Sequence, residues 1–347
     1  PWSIFNRHRW SVFNRRQHSA FKHLLTQGVF QMLKSVFIFF CSLAFLNFHS
    51  FAQTTPESLE LAKKIPIADA HMHTYYRGGP SSAAFLEQMD KNNVMWGGAV
   101  GDYRADVADK LKDRYIPAIG QMEFMEVFFS RGASGLVDDE NSTFKRLFKN
   151  AEDQFSNGTI KGFGELHTNN NLSGPVNIRR TIRTDSPAVR KMYSIANKYN
   201  GFVQLHSQHD DNFTIDILKL SAEFPNTITI LSHCLPLSQP KDLANFFSQR
   251  KNIVCEMSAT GFAHNKILGI NRPARAFDDN GLRPAWKNLI ETYPDQIMVG
   301  TDACCGWFNS YSDMVKEIRE NLLPYLSPEL MEKVAYKNAV RIFKLKE

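Results

Sequence analysis

Cysteine is scarce in this chain, with five in 347 residues. A fold of this length with so few does not rest on a disulfide framework. No G-x-G-x-x-G follows the first strand-like run, so the dinucleotide-binding version of an alternating α/β chain has no support. No long low-complexity stretch divides residues 53–347. The leader's apolar run, Val36 to Phe48, falls short of the about 20 residues that cross a bilayer. Acidic residues are missing altogether from 1–52, where Arg7, Arg9, Arg15, Arg16, Lys22 and Lys34 stand. Removing those six from the 41 Lys and Arg leaves 35 bases against 35 acids, so the formal charge of +6 belongs to the leader. A neutral body argues against a nucleic-acid partner, which a basic patch would recruit.

The first methionine is Met32. From it the chain reads MLKSVFIFFCSLAFLNFHSFAQ: a basic start at Lys34, an apolar core, then Ser50-Phe51-Ala52. That order predicts a signal peptide over 32–52 with a cut after Ala52. Residues 1–31 then read as an upstream extension, and 53–347 as a single domain. The mature protein is expected to be exported, periplasmic or secreted, with no stable membrane insertion; the alternative is an anchor through 35–48. Export permits disulfides. Cys234 and Cys304 each follow a candidate ligand, which suggests that Cys234 approaches Cys304 or Cys305, whereas Cys255 reads as core. Adjacent Cys304 and Cys305 rarely pair with each other.

Residues 53–347 contain eight short apolar runs, rich in β-branched residues: 67–73, 94–100, 115–120, 159–165, 202–206, 227–233, 252–257 and 296–301. Helical patterns separate them, over 81–91, 142–155, 186–200, 213–223, 240–250, 283–293 and 313–322, and residues 328–345 add a C-terminal helix. Eight β-α units predict an α/β fold, a (β/α)8 TIM barrel closed by an extra helix. Two long connections, Leu166–Asp185 and Ser258–Leu282, fall on the face where barrel active sites are built.

Six metal-type ligands stand at the ends of five of these runs. His71 and His73 form an H-x-H after the first, Glu165 ends the fourth, His206 the fifth, His233 the sixth, and Asp302 follows the eighth. Residues i and i+2 of a strand point the same way, so His71 and His73 can grip one ion. Imidazole and carboxylate suit Zn2+ or a similar divalent ion, which lowers the pKa of bound water to about 7. Asp302 is the expected base, because Glu165 can bridge two ions through its two oxygens. By parity Asp69 points the way His71 does, one layer deeper, as a supporting rather than ligating group. His167 shares the parity of Glu165 but is placed in the following loop, as a substrate contact. Lys161 lies about 13 Å down the strand from Glu165, too far to bridge. Arg77, Arg272 and Arg275 are the candidate substrate-binding residues for an anionic group. His209, Asp210 and Asp211 read as loop polarity and helix capping.

The D-x-H-x-H of Asp69–His73, followed in order by Glu165, His206, His233 and Asp302, resembles the amidohydrolase superfamily. ILSHC, NIVCEMS and IMVGTDA resemble its amidohydrolase-related (amidohydrolase 2) family around strands 6, 7 and 8, and KNAVRIF resembles that family's closing helix. The resemblance runs from about Pro66 to Phe343. It implies metal-site roles for His71, His73, His206, His233 and Asp302, with Asp302 also handling the proton. Many binuclear members carry a carboxylated lysine on strand 4 and others, including TatD-like nucleases, a glutamate; Glu165 then implies two ions. Mononuclear members, including decarboxylases resembling aminocarboxymuconate-semialdehyde decarboxylase, leave the strand-6 histidine, here His233, for catalysis, and this sequence satisfies that pattern too. The expectation is a metal-dependent hydrolase acting on an ester, lactone or amide bond of a small, anionic substrate. The alternatives are a non-oxidative decarboxylase and a catalytically silent metal-containing binding protein. A homo-oligomer is compatible with either.

Overall fold

The computed structural model describes residues 54–75, 79–172, 176–267 and 273–346, the side chains of 305–307 excepted. Gln53–Glu347 form one compact unit. Residues 1–52, with the signal peptide expected at 32–52, lie outside the described residues, as do Arg77 and Arg272. Among the described residues no helix is long and apolar enough to cross a membrane.

Eight strands run parallel: β1 Ile67–Thr74, β2 Val94–Gly101, β3 in two parts (Tyr115–Ile116 and Ala118–Gly120), β4 Gly162–Asn169, β5 Phe202–Ser207, β6 Ile228–Leu231, β7 Ile253–Glu256 and β8 Ile297–Met298. Each pairs with its neighbours in chain order. Pro117 divides β3 because it has no N–H to give the ladder, yet the first half pairs with β2 and the second with β4. The ring closes beyond β8. Ala70 N donates to Val299 O at 3.2 Å, Asp302 N to His71 O at 2.8 Å and His73 N to Ala303 O at 3.0 Å. Met72 and Ala303 bridge in parallel. The fold is a (β/α)8 barrel.

Helices cover the outside: α1 Pro56–Lys64, α2 Ser82–Lys91, α3 Ala105–Leu111, α4 Gln121–Gly135, α5 Ser142–Ser156, α6 Pro187–Tyr199, α7 Asp211–Glu223, α8 Pro240–Gln249, α9 Phe262–Ile267, α10 Pro284–Thr292 and α11 Tyr311–Glu317. The sequence pattern misses α1, α3 and α4 and the short α9, which interrupts the long connection after β7. Asp210 caps α7 by accepting from Phe213 N at 2.8 Å, as its position before the helix predicts. The closing helix is broken into α12 Pro328–Glu332 and α13 Asn338–Phe343 by a π turn at Lys333–Lys337.

Alternation along the strands sorts the interior. Ala68, Ala70, Trp96, Ala99, Ile116, Ala118, Phe202, Ile230, Val254 and Met298 form a buried floor with Ala339, Ile342 and Phe343 of α13. β4 contributes glycine there. A Cβ on Gly162 would lie 2.4 Å from the Phe202 ring, which fills that space, and Phe343 meets Phe202 edge-on at 5.1 Å. With the lower barrel plugged by apolar groups, the polar inward positions fall at the C-terminal ends of the strands.

Two strand ends depart from the expected pattern. β4 starts at Gly162 and continues to Asn169, so His167 stands on the strand and not in the loop. β6 stops at Leu231, and Ser232–Cys234 turn tightly with His233 at φ 57°. The expected approach of Cys234 to Cys304 or Cys305 is not what forms: Cys234 bonds Cys255. Cys255 is indeed buried, but as half of a bond that ties the turn after β6 to β7. With the two cysteines at a sequence separation of 21, loop closure makes the bond worth about 3 kcal/mol. Replacing both by Ala should lower the urea midpoint accordingly; an unchanged midpoint would show that the bond adds no stability.

Candidate metal centre

Strand alternation and one irregularity build the site. On β5, β7 and β8 the inward positions continue upward from the floor as Gln204 and His206, Glu256 and Ser258, and Gly300 and Asp302. On β1 the inward series Ala68 and Ala70 would put His71 on the wrong face. The pairing register with β2 shifts between Asp69 and Met72, and after that shift His71 and His73 point inward. The same shift corrects the expected direction of Asp69. Its carboxylate does not lie beneath His71 in the barrel but turns to β8, accepting from Thr301 N at 2.9 Å, Thr301 Oγ1 at 2.6 Å and His71 N at 3.1 Å. Asp69 thereby locks β1 to β8 at the level of the ligands.

Four donor atoms converge above the floor. His71 Nε2 lies 3.2 Å from His73 Nε2, 3.4 Å from Asp302 Oδ1 and 3.6 Å from Glu165 Oε2. His73 Nε2 lies 3.0 Å from Asp302 Oδ1 and 3.9 Å from Glu165 Oε2. A tetrahedral ion with bonds of about 2.0–2.1 Å has ligand–ligand edges of about 3.3–3.4 Å. The five separations scatter around that length, so these residues fit a first-row divalent ion. On its other side, Glu165 Oε1 faces His206 Nδ1 at 2.9 Å and His233 Nε2 at 3.3 Å. The structure thus brings together all six ligands expected from sequence.

Their support comes mostly from residues that the strand-end pattern did not flag. Buried Glu256 receives His71 Nδ1 at 2.8 Å, His233 N at 2.7 Å and Ser258 N at 2.8 Å. Ser258 Oγ sits 2.8 Å from His233 Nδ1. Glu256 and Ser258 therefore engage the Nδ1 atoms of two imidazoles and leave both Nε2 atoms facing Glu165. Gly300 makes room for this: a Cβ there would lie 2.6 Å from Glu256 Oε2 and 2.8 Å from His71 Cβ. Gln204 Nε2 lies 3.2 Å from His71 Nδ1, Gln121 donates to Glu165 Oε2 at 3.3 Å, and Tyr75 stacks on His73 at 4.8 Å. The signal for Glu256 lay in NIVCEMS, where Val254, Glu256 and Ser258 share one face. Gln204 likewise stands two residues before His206.

Two site residues adopt left-handed backbone, His233 at φ 57° and Asp302 at φ 59°. Such conformations cost about 1–3 kcal/mol each and persist where the surroundings dictate them. Asp302 is held by its N–H to His71 O. His233 is held by Glu256 at its N–H and by Arg275 at its carbonyl. Arg275 is thereby corrected from a substrate-binding residue to a clamp. Its half-buried guanidinium also donates to Leu235 O at 2.7 Å and lies over the Trp286 ring at 5.7 Å. Both of its terminal nitrogens thus face backbone carbonyls.

Burial pushes the Glu165 carboxyl up, but the imidazoles of His71 and His167 and the hydrogen bonds from His206 and His233 outweigh it and hold the group well below the carboxylate range. Asp302 follows the same balance, burial opposed chiefly by His73, His71 and His233, and is also lowered. Burial lowers His167, His206 and His264. His71 is raised despite its burial, because Glu256 and Glu165 flank it. His233 is raised as well, by Glu165 and Asp302. The carboxylates are thus held ionised, the state in which they bind metal, and burial favours the neutral form of His167, His206 and His264.

The remaining sequence candidates are placed as follows. His167 Nε2 is 3.5 Å from Glu165 Oε2, and its ring lies 4.5 Å from that of His206. Lys161 is at the barrel floor, its Nζ 3.4 Å from Lys344 O. His209 Nε2 contacts Thr214 Oγ1 at 3.1 Å, at the start of α7. His264 on α9, contained in the expected loop but not singled out, has its Nε2 3.5 Å from Asp302 Oδ2.

A family model described as Amidohydrolase matches residues 140–345, more than half of the 347-residue chain. No curated protein matches the chain significantly. Among solved structures, it is similar to a probable 2-pyrone-4,6-dicarboxylic acid hydrolase from Acinetobacter baumannii, at 13% identity and TM-score 0.49, covering 81% of this chain and 99% of that one. It is similar to a 2,6-dihydroxybenzoate decarboxylase, at 12% identity and TM-score 0.48, covering 80% and 98%. It is also similar to a dihydroorotase from Campylobacter jejuni, at 14% identity and TM-score 0.46, covering 82% and 84%.

Proposed function

The chain belongs to the amidohydrolase family, and from that premise we propose that it is a metal-dependent hydrolase cutting an ester, lactone or amide bond of a small molecule. The observation that carries the reading is the placement of Glu165. One of its oxygens faces His71 and His73, the other His206 and His233. A carboxylate so placed could be shared by two divalent ions, and the donor set would suit Zn2+. Bound ions there supply a Lewis acid and an activated water.

The chain's own residues do the rest. Asp302 holds its carboxylate ionised beside His71 and His73 and can accept the proton lost as water attacks. The same carboxyl group then returns that proton to the leaving oxygen or nitrogen. His233, fixed at Nδ1 by Ser258 and at its backbone by Glu256 and Arg275, keeps Nε2 directed at the site. His71, His73 and Glu165 are all buried, so few competing waters reach the reacting groups. With Arg275 committed elsewhere, no arginine among the described candidates argues for an anionic substrate.

The reading also places the enzyme outside the cytosol. It is supported by the signal-peptide pattern at 32–52 and by the Cys234–Cys255 bond, since disulfides persist in oxidising compartments.

Two measurements test this. Elemental analysis of the purified protein should find about two ions per chain, and Glu165→Gln should lose one ion and most activity. Ester, lactone and amide substrates should yield two fragments with consumption of water. Release of CO2 from a carboxylic acid, by a protein with one ion, would replace hydrolysis with decarboxylation.

A further inference from the structure

β4 offers two inward side chains at its end, Glu165 and His167, spaced as His71 and His73 are on β1. His167 and His206 are register partners on adjacent parallel strands. Their rings stand 4.5 Å apart, and His167 Nε2 is 3.5 Å from Glu165 Oε2. One donor atom from each of Glu165, His167 and His206 lies within 4.8 Å of the others, a spacing that can hold an ion. His167 Nδ1 is buried with no hydrogen-bond partner among the described residues. The main chain beneath the ring is fixed. Arg180 Nε donates to His167 O at 3.0 Å, Ile182 N donates to Thr168 O at 2.8 Å, and the Arg180 guanidinium lies 4.4 Å over the Phe128 ring.

We propose that His167 is a ligand of the second metal ion, so that Glu165-Leu166-His167 grips that ion from β4 as His71-Met72-His73 grips the first from β1. A histidine that only touched substrate would gain nothing from a clamped backbone and a ring packed against His206. A ligand gains both, because its donor atom must be held in place before the ion arrives. The second ion would then take Glu165, His167 and His206, one donor atom of each lying within 4.8 Å of the others, with His233 Nε2 3.3 Å from Glu165 Oε1. The inference rests on the two-ion reading proposed above.

The test is metal stoichiometry in the full chain after reconstitution with Zn2+, with folding checked by circular dichroism. His167→Ala and His167→Gln should each retain about one ion where the wild type holds about two. Two ions in both variants, with wild-type resistance to a chelator, would overturn the assignment of His167 and leave the two-ion site intact. One ion in the wild type would sink the two-ion reading and this inference with it. A mutation-free check covers poorly folding variants. In protein labelled with 15N at histidine, Zn2+ should shift the ring nitrogens of five imidazoles: His71, His73, His167, His206 and His233. A shift of four, with His167 unmoved, overturns the proposal.

Discussion

Asp302→Asn should keep its metal and lose turnover by about 10²-fold or more. The carboxylate sits at the junction of two functions. Its Oδ1 lies 3.0 Å from His73 Nε2 and 3.4 Å from His71 Nε2, within the group that fits an ion. Its Oδ2 points away, toward His264 Nε2 at 3.5 Å. Asparagine keeps the size and one coordinating oxygen but cannot take up a proton at the site. The left-handed backbone at position 302 tolerates asparagine better than most residues, so the fold should survive. His71→Ala makes the contrast, removing one jaw of the H-x-H and losing metal first. Elemental analysis and steady-state kinetics on the two variants separate the roles. Normal turnover by Asp302→Asn would remove Asp302 as the proton carrier and count against hydrolysis.

The ligands were legible because strand alternation is a short-range rule, and each ligand ends a run whose apolar residues announce the strand. The barrel followed from eight such runs in series. What escaped depends on contacts between distant segments. The register shift at Asp69–Met72 is fixed by pairing with β2 and β8, and no local pattern marks it, so parity pointed Asp69 the wrong way. His167 looked like loop because Asn169 and Asn170 follow it, yet pairing with β5 carries the strand to Asn169. Arg275 looked free because nothing in sequence places the carbonyls of His233 and Leu235 beside it. Cys234 found Cys255 because β6 and β7 are neighbours in the sheet, a proximity that outweighs adjacency to the ligand positions. Glu256 was written in the alternation of β7 and was overlooked among apolar neighbours.

Glu256 should therefore prove as consequential as any ligand. It is fully buried, and its two oxygens serve His71 Nδ1 and the backbone N–H groups of His233 and Ser258. Glu256→Ala leaves all three without that acceptor and opens a cavity beside Gly300. Each buried group left unsatisfied costs about 1–3 kcal/mol, and removing one partner of a buried charged pair costs about 3–5 kcal/mol. A loss of roughly 3–5 kcal/mol from the metal-free protein is expected, read as a lower urea midpoint. Metal affinity should fall by about 10–100-fold, because His71 and His233 lose the groups that aim them. Glu256→Gln should sit between, since it keeps the volume and one acceptor but turns an amide N–H₂ toward a donor. One competing role makes the opposite prediction. His71, His233 and Glu256 also lie close enough to hold an ion directly. If Glu256 were a ligand, Glu256→Ala would lose one ion outright, and the metal-free fold, relieved of a buried carboxylate, would be no less stable. Denaturant unfolding of metal-free wild type and variant, beside a chelator titration of the loaded forms, decides between them. A destabilised metal-free protein that still binds its full complement of ions, only more weakly, is the result that the bonds at His71 Nδ1 and the two backbone N–H groups require.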